Sequence, residues 1–172
     1  MIFRRIYLAL GLLFALVACA EPPRLSPSER AYIVVRGVGF KAPAIFGYGD
    51  GLVGKPVNAQ EVETTFRAAI ARHLSAPNGT VPVNVQVTFS DFRITTGSAM
   101  IFGGETAGSA SGIVQIFGAN GTQLASTFVS VDTTGISGEL SDGAFRTPDS
   151  EKIAILAEKF ARQASAGIVA YY

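Results

Sequence analysis

Cys19 is the only thiol in this chain of 172 residues and His73 the only imidazole. These two side chains bound the chemistry on offer. One histidine and one cysteine fall short of the usual zinc ligand set. A general base working near neutral pH would have to be His73. Its place beside Leu74, at the end of a helical pattern, suits a structural role, because a helix C-terminus favours positive charge. Asp50, Asp91, Asp132 and Asp142 are scattered over separate segments. Converging, they would make paired carboxylates, but each stands where aspartate commonly ends a strand or makes a turn. Gly49, Gly51 and Gly54 match GxGxxG. That motif holds a pyrophosphate only when a strand runs directly into it and a helix opens inside it. Here Pro56 and Asn58 come after the last glycine, so a loop is expected. Ser109 and Ser111 stand in a Gly-Ser-Ala-Ser-Gly run whose spacing fails GxSxG. There is no P-loop motif and no acidic run with EF-hand spacing. The expectation is a protein that is not an enzyme and has neither cofactor nor metal site.

Cys19 takes its meaning from what precedes it. Arg4 and Arg5 flank an apolar run over residues 6–18, and the small Ala18 stands just before the cysteine. That is the order of a secretory signal: charged region, short apolar region, cleavage site. The run is shorter than the ~20 residues a membrane-crossing helix needs. Leu16-Val17-Ala18-Cys19 resembles the lipobox of bacterial lipoproteins. The resemblance implies cleavage after Ala18 and acylation of Cys19 with palmitate-like chains. Each buried CH₂ contributes ~0.8 kcal/mol, so two or three chains hold where one is marginal. In Gram-negative members of that family an aspartate directly after the cysteine favours retention in the inner membrane. Ala20 at that position implies the outer membrane, facing the periplasm.

The expected organisation is a signal over 1–18, a lipidated Cys19 with a proline-rich tether over 19–30, and one globular domain over 31–172. An extended tether of this kind spans about 3.1 Å per residue, which keeps the domain near its membrane. Loss of the signal removes Arg4 and Arg5 and no acid. The balance becomes 12 basic against 13 acidic residues, a net charge of about −1. A near-neutral chain with scattered charge has no footprint for nucleic acid. It also lacks a polybasic cluster for anionic lipid.

The elements that position these residues follow from periodicity. Residues 31–40, with Ile33, Val34 and Val35, read as a strand. Residues 41–55 are rich in glycine and proline and read as a loop. Asn58, with Glu61 three residues on, has the spacing of a capping box. It opens a helix whose apolar stripe is Val62, Phe66, Ala69, Ile70 and Leu74. Residues 81–92 alternate cleanly: Val83, Val85, Val87 and Phe89 against Asn84, Gln86, Thr88 and Ser90. A glycine-rich connection over 95–111 leads to strands over 112–117 and 122–131. These flank Asn120-Gly121, the signature of a type I′ hairpin turn. The last helix begins with Thr147 as N-cap and Pro148 at its first position. Its stripe is Ile153, Leu156, Ala157, Phe160, Ala161 and Ala164, and Glu158 and Arg162 are spaced to pair at i, i+4.

The order β-α-β-β-β-α predicts an α+β two-layer sandwich: a four-stranded mixed sheet with both amphipathic helices on one face. This layout resembles the N-terminal domain of the periplasmic Tol–Pal protein TolB and groups of uncharacterised envelope lipoproteins. Met100, Ile101 and Phe102, an apolar knot among small residues, are the candidate partner-binding segment. Two functions are consistent with all this. The first is a non-enzymatic lipoprotein that is anchored by its lipid, binds an envelope protein partner and assists envelope assembly. The alternative is a carrier for lipid or another amphiphile, which requires a mostly apolar pocket of several hundred Å³.

Overall fold

In a computed structural model of the chain, residues 22–41, 58–94, 108–133 and 148–170 are described. They form a short helix α1 (Pro27–Arg30), strand β1 (Ile33–Lys41), helix α2 (Ala59–Leu74), strands β2 (Val81–Ile94), β3 (Gly108–Gly118) and β4 (Gln123–Asp132), and helix α3 (Asp149–Gly167). The sheet runs β1-β2-β3-β4. β1 and β2 are parallel, joined through α2, while β2, β3 and β4 form an antiparallel meander. α2 and α3 pack against each other and on one face of the sheet. The four-stranded mixed sheet with two covering helices is the expected α+β sandwich.

The alternation of β2 puts Val83, Val85, Val87 and Phe89 into the core. The pairing with β3 then skips Ser90, and a bulge there changes the phase, so that Phe92 and Ile94 are also buried. The bulge is what lets Phe89 and Phe92 both face the helices. Phe66 of α2 stands at their centre, its ring 5.1 Å from Phe89, 5.9 Å from Phe92 and 5.5 Å from Phe160 of α3, each tilted toward edge-to-face. Aromatic pairs at such separations add roughly 0.5–1.5 kcal/mol each beyond burial.

Several local expectations are corrected. Leu25, placed in an extended tether, is buried. Its amide donates to the Ile168 carbonyl at 2.8 Å, and its carbonyl accepts from Ala170 at 2.9 Å. Ser26 then caps α1 in a reciprocal capping box with Glu29. Leu25 is a lone apolar residue in a polar run, and its partner lies at the other end of the chain. β3 starts at Gly108, four residues before the expected strand, because Gly108 to Ser111 continue the ladder with Ile94 to Asp91. The hairpin turn is also different. Gly121 has φ +79° and no described non-glycine residue, Asn120 included, has positive φ, whereas a type I′ turn needs positive φ at both central residues. Gly121 N–H bonds the Gly118 carbonyl, and Gly118 N–H the Thr122 carbonyl, both at 2.9 Å. This is a type I turn with a glycine bulge. Asn120 contributes its side chain instead, accepting from the Thr122 amide at 3.1 Å. The last helix begins one residue late, with Pro148 as N-cap. Thr147 lies outside the described residues.

Candidate functional site

Two features of the described domain carry polar or exposed apolar groups in an organised arrangement. The first is a charged clasp between the helices. Residues 72 and 73 form the last turn of α2, and residue 158 lies midway along α3. Glu158 accepts a hydrogen bond from Arg72, and its Oε2 lies 2.6 Å from His73 Nε2. The carboxyl is held below its ordinary pKa, chiefly by the Arg72 hydrogen bond with a smaller share from His73, against a partial opposition from burial. Below this pair the Arg30 guanidinium donates to the His73 carbonyl at 2.6 Å and to Ser165 Oγ at 3.2 Å. Ser165 donates to the same carbonyl at 3.1 Å. Burial lowers the pKa of Arg30.

The clasp corrects the expected Glu158–Arg162 pair. Two long side chains from the neighbouring helix reach the carboxylate, and Arg162 makes no ion pair among the described residues. A histidine beside a carboxylate is the arrangement that orients a general base. Here no hydroxyl among the described residues is hydrogen-bonded to the imidazole, and the nearby serine bonds the backbone carbonyl. The clasp closes the C-terminal end of α2 against α3 and α1.

The second feature is the sheet face away from the helices. The register brings Gly37, Gly39 and Lys41 of β1 beside Asn84, Gln86 and Thr88 of β2. Gln86, Thr88 and Asp91 of β2 in turn stand beside Gln115, Ile113 and Ser111 of β3. Ser126, Phe128, Ser130 and Asp132 complete the face on β4. Its polar groups partner one another: Ser90 Oγ with Ser111 Oγ at 2.9 Å, Arg93 Nε with Asp91 at 3.1 Å, and Gln115 with Gln123 at 2.8 Å. In this polar field Ile113 and Phe128 are direct cross-strand partners, 43% and 61% exposed.

Where β4 meets α3 there is an open groove of about 410 Å³, lined by Ser130, Val131, Asp132, Lys159, Arg162 and Gln163, with Ala166 at its end. Lys159 Nζ donates to the Asp132 carbonyl at 2.8 Å.

Of the residues singled out in the sequence, Ala18, Cys19, Met100, Ile101, Phe102, Asp50, Asp142 and the Gly49–Gly51–Gly54 run lie outside the described residues. Asp91 is engaged with Arg93, and Ser109 Oγ reaches it at 3.5 Å. Ser109 and Ser111 sit in β3, and Asp132 ends β4. Among the described residues no group of three or more His, Cys, Asp or Glu side chains is placed to hold a metal. None of their helices is long and apolar enough to cross a membrane. The Ile113–Phe128 pair and the β4–α3 groove were not foreseen from the sequence. At alternate positions Phe128 stands among Ser126, Ser130 and Asp132, and that was the available signal.

No protein-family model and no curated protein matches the chain. Among solved structures it is similar to a minor lipoprotein from Acinetobacter baumannii, at 13% identity and TM-score 0.34, over 78% of this chain and 93% of that one. It is also similar to an uncharacterised protein, at 11% identity and TM-score 0.39, over 79% and 89%. A third is a PelC variant dodecamer from Paraburkholderia phytofirmans, at 13% identity and TM-score 0.35, over 83% and 93%. Likenesses at these scores carry no argument about function.

Proposed function

We propose that this chain is a non-enzymatic bacterial envelope lipoprotein, anchored through Cys19, that holds a protein partner against its helix-free sheet face. The observation that carries the docking role is Phe128, an aromatic side chain 61% exposed directly across from Ile113. Aromatic anchors ringed by neutral polar groups fit protein surfaces. The anchor is supported by the Arg4-Arg5 flank, the apolar run and Leu16-Val17-Ala18-Cys19. The amphiphile carrier is the alternative reading; among the described residues it finds the β4–α3 groove, whose lining mixes Lys159, Arg162 and Asp132 with Val131 and Ala166.

Two measurements test the two halves separately. Mass spectrometry of the native product is expected to find Cys19 as an acylated first residue. An intact Met1 or an unmodified thiol overturns the anchor. A photo-crosslinking residue in place of Phe128, in cells, is expected to trap one envelope protein, while the same residue in place of Ala68 on the exposed side of α2 traps none. Equal labelling from both positions overturns the docking face.

A further inference from the structure

A sheet of order β1-β2-β3-β4 has two edges, and this chain treats them differently. Unpaired edges invite another strand, and proteins usually blunt them. At β1 the outward Ile33 carbonyl accepts from the Ala76 amide at 2.9 Å, and the outward Val35 amide donates to Ser75 Oγ at 3.0 Å. Arg36 is skipped in the pairing with β2, a bulge that breaks the edge again. At β4 the described residues cover only the ends. Ser126 N–H donates to the Pro23 carbonyl at 2.9 Å, and Lys159 takes the Asp132 carbonyl at 2.8 Å. These bonds fix which residues point outward: Ser126, Phe128, Ser130 and Asp132, at the strand's period of two. Between the two covered ends, no backbone partner for the Phe128 and Ser130 amides exists among the described residues.

The groove of about 410 Å³ lies between α3 and the last part of β4, from Ser130 to Asp132. A fifth strand laid against Phe128 and Ser130 would run into it. Alternate side chains of that strand would point toward α3, beside Arg162 and the Lys159 that already holds the Asp132 carbonyl, and toward the open face, beside Phe128. Arg162 is exposed and makes no ion pair among the described residues. Two copies paired edge to edge would bring Lys159, Arg162 and Asp132 of each to one seam, which leaves a net excess of positive charge there.

From this geometry we infer that the β4 edge is a strand-addition site for an extended acidic peptide of a partner protein, with acidic residues at every second position facing Lys159 and Arg162 and an apolar residue between them beside Phe128. Main-chain hydrogen bonds supply affinity and the alternate side chains supply selectivity, as in other strand-addition modes. The inference rests on the reading of the chain as a protein-binding module and is independent of the lipid anchor.

The probe is a fluorescent ten-residue peptide alternating Glu and Val, with a Lys–Val peptide of the same length as its control. The target is the full chain in an uncharged detergent. The Glu peptide is expected to bind at least tenfold more tightly than the Lys peptide and to slow hydrogen exchange across residues 127–131. Arg162→Glu is expected to erase or reverse that preference. Ser130→Pro removes the central edge amide and is expected to abolish binding. If that variant fails to fold, Arg162→Glu still decides. Equal binding of both peptides, exchange slowed elsewhere, or an unchanged preference in Arg162→Glu overturns the proposal. So does concentration-dependent dimerisation that Ser130→Pro abolishes, because the edge would then belong to a second copy. A crosslink at Phe128 that persists without any peptide binding overturns strand addition alone and leaves the face-docking reading standing.

Discussion

His73 Nε2 lies 2.6 Å from Glu158 Oε2, although 85 residues separate them in the chain. This contact, with the Arg72 hydrogen bond to the same carboxylate, ties the end of α2 to the middle of α3. The carboxylate is 41% exposed, so solvent screens the pair and its worth is on the order of 0.5–1 kcal/mol.

Glu158→Gln therefore tests the clasp through pH. The folded-state pKa of Glu158 is lowered, with Arg72 the leading cause. A carboxyl so shifted stabilises the fold fully above its unfolded value of about 4.3. That contribution fades as pH falls below this value and through the folded pKa. Denaturation of the two proteins side by side should show the wild type more stable at pH 7, with the difference shrinking below about pH 4.5. Glu29, whose pKa Ser26 lowers, contributes with the same sign in both proteins and cancels in the comparison. A difference that grows on acidification contradicts the assignment.

Gly112 faces the bulge in β2. A Cβ built on it would stand 2.5 Å from the Thr88 carbonyl oxygen and 2.9 Å from the Phe89 Cα. Both are backbone atoms, so no side chain can swing aside. Gly112→Ala must spread β2 from β3 where Phe89 turns inward, and overpacking of this kind costs roughly 1–3 kcal/mol. Chemical denaturation should show that loss with little change in slope. A neutral or stabilised variant would mean that the two strands are less closely apposed there.

The alternation in β2, the stripes of α2 and α3, and the order of elements were legible because each repeats within one segment. What stayed hidden depends on partners far apart in sequence. Ser90 gives no local sign of a bulge, yet it decides that both Phe89 and Phe92 are core residues. Lys152 lies four residues before Leu156, on the buried stripe of α3, and is itself buried with Nζ 3.2 Å from Asp149. A scan for apolar residues passes over it. Glu158 and Arg162 had the right spacing to pair, but a neighbouring helix offered the carboxylate a guanidinium and an imidazole. The place of β4 at the sheet edge follows from strand order, which periodicity alone does not reveal.

Phe66 offers the test of the core itself. It is fully buried and touches Phe89, Phe92 and Phe160, joining α2, β2 and α3. Phe66→Ala removes ring packing from all three and should cost about 3–5 kcal/mol. Phe66→Leu keeps most of the volume and should cost well under half as much. If both substitutions are mild in thermal unfolding, the three elements do not share this ring as their common contact.

Leu25 decides how freely the domain moves on its anchor. Its two backbone bonds to residues 168 and 170, its burial and the Arg30 contact with His73 dock the segment before β1 onto the end of α3. If Cys19 carries the lipid, only the four residues from it to Pro23, whose carbonyl accepts from the Ser126 amide, remain as leash, at most about 14 Å. Leu25→Ala removes the apolar plug and should loosen the segment back to Arg30, at a cost of about 2–5 kcal/mol shared between local and global opening. Trypsin is the direct probe. Arg30 is partly shielded by its bonds to the His73 carbonyl and Ser165. Cleavage after it should be slow in the wild type and several-fold faster in Leu25→Ala, with the core fragment surviving. Equal cleavage rates would show that the segment is already undocked in solution, and the domain would then swing on a longer leash that includes residues 25–30.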